Sequence, residues 1–295
     1  DFARRDQRSS VSRSSPDNTS GSFGRPRPGM TETVHYLVEL QAQDTSRSGT
    51  LGASTGAPVV VTGAMRNPTL PGADGPANLL AAVRVAASTD CRGLGCLVVL
   101  NDEIHAARFV RKTHTGNPAT FRSPLAGPIG WLAEGTPHLA LRPVRRHHVA
   151  VPKETDPPPV ALPTVGLADD GRLLAEVERL GYAGVVVEAM GGGHVPAHLA
   201  PTLANLARRV PVVLASRTGS GEVLRETYSF PGSETDLLEH GSIPAGALDG
   251  LKARILLMLL LARREEVDDI RAAFDAIGSE RFTVWRRGSW GPASP

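Results

Sequence analysis

What most constrains this chain is a set of four short runs, continuously apolar and rich in β-branched residues, that alternate with helical patterns. They are PVVV at Pro58–Val61, LVVL at Leu97–Leu100, GVVVE at Gly184–Glu188 and PVVLAS at Pro211–Ser216. A strand apolar on both faces has to be covered on both, which predicts parallel sheet flanked by helices and an α/β fold class. Between the first two runs, Pro76 at a first helical turn opens NLLAAVRVAAS, so a helix and one βαβ unit are expected there. DDGRLLAEVERLGYAG predicts a helix ending near Gly181 ahead of the third run, and His198–Arg209 predicts another ahead of the fourth. Further on, LDGLKARILLMLLLA reads as a strongly buried helix and EEVDDIRAAFDAI as an amphipathic one.

Composition shifts divide the chain. Residues 1–29 are dominated by Ser, Arg, Pro and Gly and have too little aliphatic surface to offset the entropy of ordering, so they are expected to be disordered. Folded protein is expected from Met30, where MTETVHYLVELQA has the spacing of an amphipathic helix. The polar, proline-rich KETDPP at Lys153–Pro158 reads as a linker between two parallel-sheet domains with flanking helices, residues 30–155 and 160–284, followed by a tail at 285–295.

Several partner classes are excluded by count. Lys+Arg 32 against Asp+Glu 30 gives a net charge of +2, without the single-signed excess that nucleic-acid binding needs. The longest apolar run, Ile255–Ala262, is far short of a membrane span, and the first residues lack an apolar signal core; no membrane association and a cytoplasmic location are expected. Cys91 and Cys96 are the only cysteines, too few for a disulfide framework or a cysteine zinc site, and they read as ordinary thiols. His147 and His148 are adjacent and so point apart, a solvated basic patch with Arg145 and Arg146 rather than a metal pair. No metal and no cofactor are expected.

In α/β sheets ligands bind at loops leaving the carboxyl ends of strands, so the segments after each apolar run matter most. MGGG at Met190–Gly193 lacks dinucleotide-loop spacing, and phosphate-loop, nucleophile-elbow and HExxH motifs are all absent from the sequence. Taken together, however, VVVTGAMR, ADGPANLLAAV, VVLNDEIHAARFVRKTHT, VVVEAMGGGHVP, VVLASRTGSGEV and PGSETDLLEHGSIPAGALDGLKARILL resemble, in order and spacing, the bacterial L-asparaginase/glutaminase family, over roughly residues 30–277.

The resemblance implies a two-domain α/β enzyme, usually a homotetramer, that hydrolyses the side-chain amide of L-asparagine to L-aspartate and ammonia. The substrate is then a small amino-acid amide and the assembly a homo-oligomer, dimer or tetramer. A threonine hydroxyl serves as nucleophile, helped by a relay of a second threonine, an aspartate and a lysine. Lys112, in RKTHT, stands where the relay lysine stands. A solvated surface lysine is the usual alternative, but Lys112 is one of only three lysines in an arginine-rich chain, which favours the site. Glu234, in PGSETD, matches the glutamate that a neighbouring subunit contributes to hold the substrate's amino group; an ordinary acidic loop residue is the equally weighted alternative. Gly72 replaces a small hydroxyl residue of the family's ADGP loop, and the triple glycine before His194 is expected to serve a turn.

The pattern departs from the family at the front. Neither a TGGTIA-like segment, which carries the nucleophile, nor an HGTDT-like segment occurs, and Arg25-Pro26-Arg27-Pro28-Gly29 occupies the place of the latter. The amino-terminal domain is therefore expected to be incomplete and the chain inactive, with a non-enzymatic remnant or regulatory subunit as the alternative. The composition of residues 1–29 resembles GC-rich DNA read out of frame, and a frameshift is the expected origin.

Overall fold

A computed structural model describes Gly56, residues 58–143, Val149 and residues 157–278. The expected helix after Met30, the terminal segments, most of the expected linker and the adjacent histidines lie outside the described residues.

The first domain holds a sheet of β1 (Val59–Val61), β2 (Cys96–Leu100), β3 (Glu103–Ala106), β6 (Gly130–Ala133) and β7 (Thr136–Leu139), paired side by side in that order. The expected βαβ unit is present: β1 and β2 pair in parallel, joined through helix α1 (Gly75–Ala87) with Pro76 in its first turn. Beyond β2, the expected parallel sheet gives way to antiparallel pairing of β2 with β3, β3 with β6 and β6 with β7. The switch has a local cause. Asn101 (φ 52°) and Asp102 (φ 57°) make a two-residue turn in the left-handed region, and such turns fold a strand straight back on itself. Much of what reads as one long loop after β2 is therefore strand, including a short hairpin of β4 (Arg111–Lys112) and β5 (Phe121–Arg122).

α1 buries Asn78, Ala81, Ala82 and Val85, a helical stripe laid against Leu97, Val99 and Ile104. Val61, Val98, Leu100, Ala107, Val110 and Phe121 form a second cluster on the opposite face.

The second domain is a wholly parallel sheet of β8 (Val160–Ala161), β9 (Gly184–Ala189), β10 (Val212–Ser216) and β11 (Ile243–Pro244), again side by side in chain order. The third and fourth apolar runs are its two central strands, as their composition predicts. Val186, Val213 and Ala215 face one side, under helix α5 (Gly250–Ala262) and helix α6 (Val267–Gly278). Val185, Val187, Val212 and Leu214 face the other, under α2 (Arg172–Glu176), α3 (Ala200–Ala207) and α4 (Glu234–Glu239). α2 and α3 are shorter than the sequence pattern suggests, because α3 is preceded by a turn of 3-10 helix at Ala197–Leu199 and α2 gives way to turns after Glu176, short of the expected end near Gly181. α5 buries Lys252 and nearly every following residue to Ala262, matching its uninterrupted apolar sequence.

Candidate active site

Lys112 sits at the end of β4, half-buried, opposite Phe121 of β5. The segment between the two strands is closed by a dense set of local bonds. Thr113 donates from both N and Oγ1 to Thr120 O (2.9 Å each), and Thr120 Oγ1 accepts from His114 N at 2.6 Å while donating to His114 O. His114 Nδ1 accepts from Gly116 N and Asn117 N, and Asn117 Oδ1 accepts from Ala119 N. A loop knit in this way holds a flexible lysine at a defined root.

The far end of β5 is anchored by the buried His105 on β3. Its Nδ1 lies 2.9 Å from Ser123 Oγ and its Nε2 3.3 Å from Glu103 Oε2. Burial holds the imidazole below its ordinary pKa, against the opposing pull of the Glu103 carboxylate.

Glu234, the first residue of α4, is fully buried. Its Oε1 accepts from Thr227 N (2.9 Å) and Tyr228 N (2.7 Å), and its Oε2 is 3.0 Å from His194 Nε2. Burial alone pushes the carboxyl upward, but the hydrogen bonds from Tyr228, its own backbone N–H, Thr227 and His194 outweigh it and hold Glu234 below the usual carboxylate range. It is an ionised carboxylate in the protein interior. His194 beside it is partly open, 21% exposed, with the rings of Tyr228 and Phe230 edge-on to it at 4.9 and 5.3 Å.

The triple glycine before His194 makes this packing possible. A β-carbon on Gly192 would meet Leu224, and one on Gly193 (φ 116°) would stand 2.8 Å from Val223 and 3.5 Å from Glu234 Cβ. The glycines thus admit close approach as well as a turn. His194 is a residue that sequence reasoning missed; its signal lay in the GGGHVP segment, where only the glycines were given a role.

A second cluster missed from sequence surrounds Asp74 of the ADGP segment. Asp74 stands at the N-cap position of α1 without capping it; its carboxylate accepts instead from Met65 N (3.0 and 3.1 Å), Arg66 N (2.9 Å) and Asn78 Nδ2 (3.2 Å). Although burial opposes it, these bonds hold its pKa below the usual value. Asn78 also donates to Gly63 O and accepts from Asn101 N, while Thr62 Oγ1 donates to Val99 O. The network ties together the loops leaving β1 and β2, at the carboxyl ends of the parallel pair, which is where an α/β sheet places ligands.

Within one chain the structure does not join Lys112 to Glu234. Among the described residues no hydrogen bond or ion pair connects them, and they lie in different domains. The domains are tied elsewhere: Lys252 Nζ, buried on α5, donates to Val110 O at 2.6 Å, and Arg108 donates to Ile277 O. Burial pushes the Cys96 thiol up to about 12 and the Cys91 thiol upward, so neither is a ready thiolate nucleophile. Among the described residues no three His, Cys, Asp or Glu side chains group in a way that could hold a metal ion, and no helix is long and apolar enough to cross a membrane.

A family model described as Asparaginase, N-terminal matches residues 49–145, and one described as Glutaminase/Asparaginase C-terminal domain matches residues 160–274. The chain is 38% identical over 229 residues to the Probable L-asparaginase of Deinococcus radiodurans, covering 74% of this chain and 67% of that protein. It is 35% identical over 225 residues to L-asparaginase 2 of Escherichia coli strain K12, covering 74% and 62%. To the Glutaminase-asparaginase of Pseudomonas fluorescens biotype A it is 31% identical over 252 residues, covering 83% and 64%. It spans about two thirds of the length of these curated relatives.

Proposed function

The chain belongs to the asparaginase family, and on that premise we propose that its site residues serve hydrolysis of the side-chain amide of L-asparagine to L-aspartate and ammonia. The observation that carries this reading is the Glu234–His194 pair: a fully buried, ionised carboxylate beside a partly open histidine that is flanked by two aromatic rings. Within a single chain this carboxylate has no exposed surface, so an ammonium group, such as an α-amino acid supplies, reaches it only past the partly open His194.

Lys112, rooted in its knit hairpin, supplies the other half. Amide cleavage by a hydroxyl nucleophile needs a nearby group to take the hydroxyl proton and return one to the leaving ammonia, and a lysine can shuttle a proton where an arginine cannot. The resemblance brings the glutamate from a neighbouring subunit, and on that basis a complete site pairs Lys112 of one copy with Glu234 of another, and the active assembly is a homo-oligomer. Domains at 30–155 and 160–284 and a cytoplasmic location complete the proposal. Limited proteolysis cutting first within residues 1–29 and next near 153–158 tests the boundaries, and cell fractionation tests the location; one relative carries the name Probable L-asparaginase periplasmic.

These 295 residues contain no TGGTIA-like or HGTDT-like segment. A protein of this sequence alone is therefore expected to release no ammonia from asparagine above a buffer control, since the nucleophile and its aspartate are what lower the barrier. The same observation favours a second reading, a non-enzymatic subunit of an asparaginase-like assembly. Mixing the chain with an intact relative that carries alanine at the position of Glu234 separates them. Ammonia release regained in mixed oligomers supports the role of Glu234; a mixed oligomer that stays at the mutant's level removes it.

A further inference from the structure

We infer that the cleft between the two domains is a binding site for a small carboxylate, gripped by Arg111 and distinct from the proposed amide site. The cleft is open to solvent and is lined on one side by Arg108 and Arg111 and on the other by Gly219, Ser220, Gly221, Asp249 and Lys252. Of the cations converging on it, two have structural employment. Lys252 donates to Val110 O and lies 3.5 Å from Asp249, and Arg108 donates to Ile277 O.

Arg111 differs. Its guanidinium crosses the gap and lies against the backbone of Gly219 (φ 81°), so closely that a β-carbon there would stand 2.7 Å from its Cζ. Among the described residues it makes no hydrogen bond and no ion pair. A guanidinium held over a glycine by the chain's own geometry, with its fork uncommitted, is shaped for the two oxygens of a carboxylate.

The facing wall offers matching donors. Among the described residues the N–H groups of Gly219, Ser220 and Gly221 donate to no protein acceptor, and positive φ at Gly219 and Gly221 turns this strip of backbone into a concavity of the kind that collects anions. Successive residues of a strand point to opposite sides, so Arg111 faces the cleft and Lys112 faces away from it. Occupancy of the cleft is thus separable from chemistry at Lys112, though both side chains root in the same short strand.

The test is calorimetric titration of the full chain with succinate, which has carboxylates but lacks the ammonium assigned to Glu234. Binding is expected in the millimolar range and to weaken by about tenfold or more, ~1.4 kcal/mol, in Arg111→Ala and in Gly219→Val. Arg111→Lys, which keeps the charge and loses the fork, is expected between wild type and Arg111→Ala, and it guards against a folding artefact in the others. Lys112→Ala and Glu234→Gln are expected to bind succinate as the wild type does. No binding heat up to about 20 mM overturns the site. So does loss of binding in Glu234→Gln, unchanged binding in Arg111→Ala, or inorganic phosphate binding as tightly as succinate.

Discussion

The two domains solve the covering of a sheet differently. In the second domain β9 and β10 are sandwiched between α5 and α6 on one side and α2, α3 and α4 on the other, and every residue of β10 is buried. In the first domain the parallel pairing of described strands stops after β1 and β2, Val59 on β1 is 41% exposed, and α1 turns Leu79, Leu80 and Val83 outward at 51–60% exposed. Doubly covered parallel strands carry their stability in packing, whereas the first domain relies more on turns and polar networks such as those around Asp74 and His105.

That contrast breaks first in the core. Leu257 on α5 is fully buried against the second sheet, and Leu257→Ala is expected to cost about 2–5 kcal/mol, measured as a fall in the urea midpoint. A cost below about 1 kcal/mol would show that the second domain is not held by this packing.

Next comes the link between domains. Lys252→Ala removes a buried charged donor to Val110 O and leaves Asp249 without that ion pair, for an expected loss of about 1.5–3 kcal/mol in the same denaturation assay. The transition should also broaden as the domains uncouple; an unchanged midpoint and slope would make the contact incidental.

Acid separates the domains by a smaller effect. The folded pKa of His105 lies below its ordinary value of 6.5, so the unfolded chain takes up the proton first and stability declines as pH falls below that value. Glu234 is depressed from 4.5, so its contribution is present above that value and is lost only as pH falls through the lower folded one. The first domain is therefore expected to loosen at higher pH than the second. Glu234→Gln should flatten only the most acidic limb of the stability profile and His105→Gln only the limb just below neutrality. Interchanged limbs would refute the assignment.

Smallest of all, Leu80→Ser on the outward face of α1 is expected to shift stability by no more than about 0.5 kcal/mol. A larger loss, concentration-dependent in thermal melts, would show that this face is covered in the assembled protein.

Much of the fold was legible because burial leaves a trace in composition. Continuous β-branched runs stand out where both faces of a strand are covered: GVVVEA and VVLAS became β9 and β10, and the Ile255–Ala262 run became the buried body of α5. The antiparallel half of the first sheet was not legible, because EIHA and GWLA are short and their pairing depends on the left-handed turn at Asn101 and Asp102 rather than on any apolar pattern. Lys112 and Glu234 were singled out through resemblance, and the structure gives each a definite setting without joining them.

By itself, then, the sequence determined the alternation of strand and helix, the buried apolar runs and the family, since each is written in local composition and order. Tertiary structure alone decided which polar groups meet. His194 reaches Glu234 across 40 residues, Arg217 reaches Val165 O across 52, and Lys252 reaches Val110 O across 142. Apolar periodicity records only that a side chain is buried. A hydrogen bond records a particular partner at a particular angle, and only the closed chain brings that partner within reach.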